Sequence, residues 1–406
     1  MERTRVESSA DYTSHGTHCD GKLRKRLSSL DHSKPLPMNT LRHRLPVATL
    51  FAVLFAASNA VVAQEPDLRC LATDTPFNLV KKYEGTYKFT LDNDLFTNRD
   101  QDYTNGVKMA WSSPNLRSFQ DDPCLPPWLQ QVGRLFDSVY PIRIGKEEIE
   151  GNVTVTLGQA MFTPRDRKQA GLIVTDRPYA GWTYLGFGYN TRSSYRLDSY
   201  EINLGVVGPW SRAKQTQSLV HRVRGIEQFQ GWANQLGNEF GAQLVFERKY
   251  RYDFFNSDRQ RAGFGIDLIP HAGISLGNVA TYANVGGEIR MGWGLPDDFG
   301  TSPIRPAGDN SAPRAKGAAS FVRDLGVHVF ASVDGRAVAR NIFLDGNTIR
   351  DSHSVSKRAL VADLTAGLAF NVKQYKIGFV RVYRSREFEG QKTSPRYGSL
   401  TISGPL

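Results

Sequence analysis

The segment from Phe89 to Gly106, FTLDNDLFTNRDQDYTNG, joins the end of one alternating strand to the start of another through a polar turn. Tyr87, Phe89 and Leu91 recur at every second position, so Asn93 and Asp94 fall where a strand meets its loop and side chains can converge on a ligand. Two adjacent oxygen-bearing groups there suit a hard cation. Thr104 and Asn105 open the next strand just before Gly106, across the hairpin from that pair. The same residues also read as an ordinary hairpin loop rich in turn formers.

A second stretch carries a group that can move a proton. Residues 211–239 contain the one substantial helical pattern, with Leu219, Val223 and Ile226 at helical spacing and His221 projecting from the same segment. Gly225, four residues further on that side, has no side chain and lets a wall or a substrate come close to His221. Glu227 lies six positions after His221, about 240° around an unbroken helix, so the two converge only if Gly225 bends the chain. A single histidine on a short helix is otherwise commonly a packed or solvated residue.

The elements that must position these groups follow from composition. The chain has 406 residues, with 37 Gly, 16 Tyr and 22 Phe. Its mean hydropathy is polar, and no apolar run is long enough to span a bilayer as a helix, which leaves a soluble multi-domain protein or a β-barrel. Residues 45–63, LPVATLFAVLFAASNAVVA, form an apolar segment ending in small residues and preceded by Arg42, His43 and Arg44, the layout of a secretory signal. Residues 1–37 are polar and without periodicity, so Met38 is read as the true start, 38–63 as the signal and 64–406 as one exported domain. Removing residues 1–63 takes away nine Lys or Arg and five Asp or Glu, and the net charge falls from +11 to +7. A basic exported chain suits an anionic membrane surface, and no nucleic-acid motif is visible. Cys70 and Cys124 remain after removal of the leader, and an oxidising compartment makes a disulfide between them plausible.

From Gly85 onward the pattern is strand, turn, strand. Alternating runs occur at 87–91, 107–113, 153–161, 182–189, 200–207, 243–252, 264–272, 282–293, 322–343, 360–370, 375–383 and 397–402, an all-β pattern of about twelve strands, each able to cross a bilayer when tilted. Three insertions interrupt it: a short amphipathic helix at Pro123–Pro141, a Pro- and Gly-rich loop at Pro296–Gly317, and the helical stretch carrying His221. A G-x-S-x-G string at Gly273–Gly277 suggests a serine hydrolase, but both of its flanks read as strands where a nucleophile elbow needs a helix. Arg177, Tyr179 and Trp182 in DRPYAGW read as loop packing and interfacial anchors that can border a phosphorylated headgroup.

Taken jointly, N-D at 93 and 94, D-x-x-Y-T-N-G at 100–106, T-P-R-D at 163–166, D-R-P-Y-A-G-W at 176–182, G-x-V-G-P at 205–209, H-R-x-x-G-x-E at 221–227 and the W-x-N-Q-L that follows resemble the outer-membrane lipid A 3'-O-deacylases. The resemblance covers nearly all of the chain after Gly85 and lies in order and spacing. It implies a transmembrane antiparallel barrel of twelve strands in the Gram-negative outer membrane, acting as a monomer on lipopolysaccharide, with its active site between the inner barrel wall and a helix. It places activity at Asn93, Asp94, Thr104, His221 and Glu227, with His221 as base and a Ca²⁺ ion served by Asn93, Asp94 and Glu227. The family's lysine falls where this chain is shorter, with Lys168 the nearest candidate and Arg167 its rival.

The chemistry agrees: ester hydrolysis needs a base for water and a positive or hydrogen-bonding group for the oxyanion. Zinc fits less well, because no cluster of His and Cys accompanies His221. Two other readings share the compartment: a phospholipase using Ser218 as a nucleophile activated by His221, and a porin-like barrel without catalysis.

Overall fold

A computed structural model describes residues 85–93, 102–113, 150–256, 263–300 and 325–405. The leader regions 1–37 and 38–63, Asp94, Cys70, Cys124 and the expected helix at 123–141 lie outside the described residues, as does most of the loop at 296–317.

The strands are β1 (Thr86–Asn93), β2 (Asp102–Ser112), β3 (Glu150–Thr163), β4 (Ala180–Arg192), β5 (Arg196–Val207), β6 (Glu239–Tyr250), β7 (Tyr252–Asn256), β8 (Phe264–Gly277), β9 (Ala280–Trp293), β10 (Leu325–Asn341), β11 (Leu360–Val372), β12 (Tyr375–Arg384) and β13 (Arg396–Pro405). Apart from β6 and β7, which both pair with β8, each strand pairs antiparallel with its neighbours in sequence, and β1 pairs with β13, so the sheet closes and leaves no free edge. β6 and β7 meet β8 in one register, Lys249 opposite His271 and Tyr252 opposite Leu268, with only Arg251 between them. They form a single stave, and the barrel has twelve, matching the twelve alternating runs.

The alternation is the reverse of that in a soluble barrel. Leu157, Leu185, Val285, Val333 and Leu364 point outward and are exposed, whereas Thr156, Asn203, Asp267 and Asp334 point inward and are buried. Among the described residues no helix is long and apolar enough to cross a membrane; the crossing is done by strands whose outer face is apolar.

The lumen is filled. Toward the end where β3 passes to β4 and β5 to β6, Phe162 stacks on Phe343 at 4.1 Å and Trp182 on Tyr184 at 5.3 Å. Beside this apolar core runs a chain of ion pairs, from Arg177 to Glu387 at 2.5 Å, through Arg384 to Asp363 at 2.8 Å, and from Asp363 to Arg336 at 2.6 Å. The sequence reading of DRPYAGW as an interfacial anchor is thereby corrected. Arg177 is buried against Glu387, and Trp182 points into the lumen, because a buried carboxylate and an aromatic cluster there supply better partners than water does. The run expected at 322–343 also ends sooner. The Asn341 side chain accepts a hydrogen bond from the Phe343 N–H at 3.1 Å and caps a one-turn helix, Ile342–Asp345. Gly273–Gly277 lies within β8 and β9 begins at Ala280, so the G-x-S-x-G string is strand, turn, strand.

Candidate active site

The outward row at the end where β1 meets β2 and β3 meets β4 differs from the rest of the outer wall. Asn93 pairs with Asn105, Asn105 with Met161, and Met161 with Gly181, which makes one continuous line across β1, β2, β3 and β4. Met109, on the same face of β2, is 44% exposed, but Asn93 is 6% and Asn105 5% exposed. Thr104 is the extra residue where the β2–β3 register shifts between Tyr103 and Asn105; such a bulge re-aims the residues around it.

Over the Met161–Gly181 end of this row lies the helix α1 (Ala213–Arg224). Gln159 Nε2 and Thr183 Oγ1, both on the outward face, each donate to the Ser211 carbonyl at 2.7 Å and fix where the helix begins. Gly181 makes the close approach possible, since a Cβ there would stand 2.1 Å from Ser211 Oγ and 2.3 Å from the Ala213 Cβ. The helix therefore packs on the outer wall of the barrel, which corrects the expectation that the inner wall faces it. Its buried face is Ala213, Gln217 and His221, while Leu219 and Val223 are exposed. The apolar positions point away from the wall because the medium beyond it is itself apolar.

His221 and Glu227 converge through Gly225. With φ at 68°, Gly225 ends the helix in the left-handed region, and the Ile226 N–H bonds back to the His221 carbonyl at 2.8 Å. The chain then turns so that His221 Nδ1 donates to the Glu227 carbonyl at 2.7 Å. A carbonyl only accepts, so the proton sits on Nδ1 and Nε2 is the basic nitrogen. The partner of His221 is thus the Glu227 backbone, and the Glu227 side chain is exposed. The ring of Phe229 packs 5.7 Å from the His221 ring, within a cluster of Met161, Tyr179, Ala213 and Trp232.

The β3–β4 loop borders the segment after the helix. Gln230 N–H bonds to the Arg167 carbonyl at 2.9 Å and Asn234 Nδ2 to the Ala170 carbonyl at 2.7 Å. Lys168 is exposed between these two ties, and Arg167 is half-buried. Around them Arg165, Arg212, Lys214, Arg222 and Arg224 are exposed, so the rim of the site is strongly basic.

Three further residues belong here that sequence reasoning had not assigned a role. Trp232 Nε1 donates to Gln217 Oε1 at 2.7 Å, and Asn105 Oδ1 is buried with no hydrogen-bond partner. An amide oxygen left open beside Asn93 is a donor type that a hard cation takes, and in that respect the row fits the calcium expectation. Among the described residues no three His, Cys, Asp or Glu side chains gather into a metal cluster, and the oxygen donors that the row itself offers are the amides of Asn93 and Asn105.

Fold and wall together define an outer-membrane barrel of twelve strands whose polar site lies on the bilayer side, beneath a surface helix. The family model described as "Outer membrane protein LpxR" matches residues 49–405, and the chain belongs to that family of lipid A-modifying outer-membrane proteins. Among solved structures, LpxR from Salmonella typhimurium matches with a TM-score of 0.58 at 16% identity, covering 79% of this chain and 100% of that one. The β domain of the Bordetella autotransporter BrkA gives a TM-score of 0.38 at 8% identity, covering 80% of this chain and 100% of that one. No curated protein sequence matches significantly.

Proposed function

We propose that this protein hydrolyses the ester that joins the 3'-linked acyloxyacyl group to lipid A, with His221 Nε2 as the base that activates water. The observation that carries the reading is the His221–Glu227 hydrogen bond, which holds a basic nitrogen on the lipid-facing side of the wall. A general base must have its lone pair toward the water it deprotonates, and this tautomer supplies that. The substrate class is argued from the surroundings. Exposed Leu219 and Val223 suit acyl chains, and the basic rim of Arg165, Lys168, Arg212, Lys214, Arg222 and Arg224 suits a phosphorylated headgroup. A bound Ca²⁺ would contribute positive charge near the ester carbonyl, held by Asn93, Asp94 and Glu227.

The porin alternative has little support, because aromatic side chains and ion pairs occupy the lumen. For the phospholipase alternative, Ser218 lies three residues before His221 and half-buried, with no hydrogen bond to it among the described residues. The refolded barrel, assayed on purified lipid A and on phosphatidylethanolamine with calcium chloride or EDTA, separates these readings. Release of the acyloxyacyl group from lipid A alone, lost in EDTA, is expected; release of fatty acid from the phospholipid alone would overturn the proposal.

A further inference from the structure

We propose that the outer wall of β10 to β13 holds a second lipid, a phosphorylated glycolipid of the leaflet that α1 faces, in a recess at the end of the barrel away from both termini. The inference shares that leaflet with the reading above and is otherwise independent of it. The recess has a volume of about 320 Å³, and its lining includes Val333, Ala362, Leu364, Tyr383, Ser385 and Arg396. Register explains why it is there. Val333 pairs with Leu364, Leu364 with Tyr383 and Tyr383 with Arg396, one outward row across four strands, whereas Gly335 and Ala362, paired at the next outward position, add almost no bulk to the wall.

The charge on this stretch of wall has one sign. On β12, Phe379, Arg381 and Tyr383 are exposed and alternate with the buried Val380 and Val382, so Arg381 stands on a face built for hydrocarbon. A guanidinium is tolerated there when its stem lies along apolar surface and its head reaches the polar layer. Tyr383 is two residues nearer the strand end, and Arg381 Cζ lies 5.4 Å from its ring centroid, as does Arg396 Cζ. The two cations are therefore at most twice that distance apart. The carboxylates of β10 to β13, Asp334 and Asp363, both point inward, so two guanidiniums drawn to one ring repel each other until an anion joins them.

Chemistry selects among the anions of a membrane. A phosphate monoester carries about −1.5 to −2 charge at neutral pH and matches two guanidiniums, whereas the diester of a glycerophospholipid carries a single charge. Ser385 Oγ accepts from the Ala362 N–H at 2.9 Å, which leaves its own O–H to donate to a sugar oxygen. Along the same wall Val329, Val333, Leu364 and Phe379 are exposed and give acyl chains a surface. Phosphomonoester, sugar and acyl chains together describe a glycolipid of the lipid A type. Tyr383 on β12 is four strands from Met161 on β3, about 19 Å along the wall at the spacing of paired strands, so this molecule is a neighbour of the one at His221.

Native mass spectrometry of the full chain refolded in detergent, titrated with purified lipid A, counts the molecules retained. The wild-type protein should retain two. Arg381→Gln combined with Arg396→Gln should bind the second about tenfold more weakly, and so should Ala362→Trp, which fills the recess and leaves both charges; all three positions face outward, so the strand ladder is kept. Phosphatase-treated lipid A should lose the second molecule, and the variants should hydrolyse lipid A with wild-type kcat and KM. Equal retention by the wild-type protein and the variants, or displacement of the second lipid A by an equal concentration of phosphatidylglycerol, would overturn the proposal. So would variants that retain two molecules but raise KM, which would assign the arginines to the substrate. Two molecules retained by a wild-type protein that hydrolyses neither would remove the esterase reading and leave this site standing.

Discussion

Two polar clusters stand at the same end of the barrel, one inside the wall and one outside, and their chemistry is opposite. Inside, Arg177, Glu387, Arg384, Asp363 and Arg336 form a chain in which every charge meets an opposite one. Outside, the polar groups are oriented by their neighbours but are not matched charge for charge. His221 is fixed through Nδ1, Gln217 through Oε1, and Asn105 Oδ1 has no partner. Polar groups that satisfy one another hold a fold together; groups that are oriented but incomplete are arranged for something that arrives later. The contrast separates Arg177, which sequence reasoning had placed near a headgroup, from His221.

The sharpest way to break the comparison is at its outer member. His221→Ala should lower deacylation by about 10²- to 10⁴-fold while the barrel still migrates as a folded species on unheated gels, since the helix contributes nothing to the strand ladder. Calcium should not rescue it, whereas Asp94→Ala should be partly rescued by high calcium, because losing one of several oxygen ligands weakens affinity without removing the base. A loss of folding in His221→Ala would place that residue with the inner cluster.

Gly181→Val comes next. Its side chain would enter the space of Ser211 and Ala213, lift α1 from the wall and reduce activity by about 10²-fold through misplacement of the base, with the melting temperature of the barrel kept close to wild type. The inner cluster should respond in the reverse sense. Arg177→Ala removes the closer of the two guanidinium partners of Glu387 and leaves it only the longer Arg384 contact, which should cost up to about 3 kcal/mol of stability, read as a lower unfolding midpoint.

Acid should act on the inner cluster in a smaller and graded way. Burial alone would raise the Glu387 carboxyl, but the Arg177 and Arg384 guanidiniums outweigh it and hold it below the usual glutamate range. Its stabilising contribution is therefore complete above the ordinary glutamate value of about 4.3 and drains away as pH falls through the lower folded value. Unfolding midpoints measured from pH 7 downward should fall below that range in the wild type and fall less in Arg177→Ala; parallel curves would show that the pair is not the titrating element.

The strands were legible because the period of two survives inversion: Val285 alternating with buried neighbours on β9 reads the same whichever face meets lipid. The helix was legible from its period, but not which face it buries. Leu219 and Val223 gave the helical period correctly, yet in a lipid-facing site the apolar stripe points outward and Ala213, Gln217 and His221 face the wall. Phe343 was taken as strand because the pattern of apolar residues runs on past the cap at Asn341. The turn at Gly225 was anticipated, but its product is a bond to the Glu227 carbonyl, and backbone atoms leave no mark in a sequence. Gln217 left none either, since glutamine is common on helix surfaces and only its contact with Trp232, fifteen residues away, distinguishes it.

The central claim is that the helix-covered outer wall, through His221, removes the 3'-linked acyloxyacyl group from lipid A. Mass spectrometry of lipid A from Gram-negative cells expressing the wild-type protein or His221→Ala, at matched levels in the outer membrane, tests it most directly. The account predicts loss of that acyloxyacyl mass with the wild-type protein and unmodified lipid A with the variant. Unchanged lipid A with a folded wild-type barrel, or the same loss from both, would contradict it.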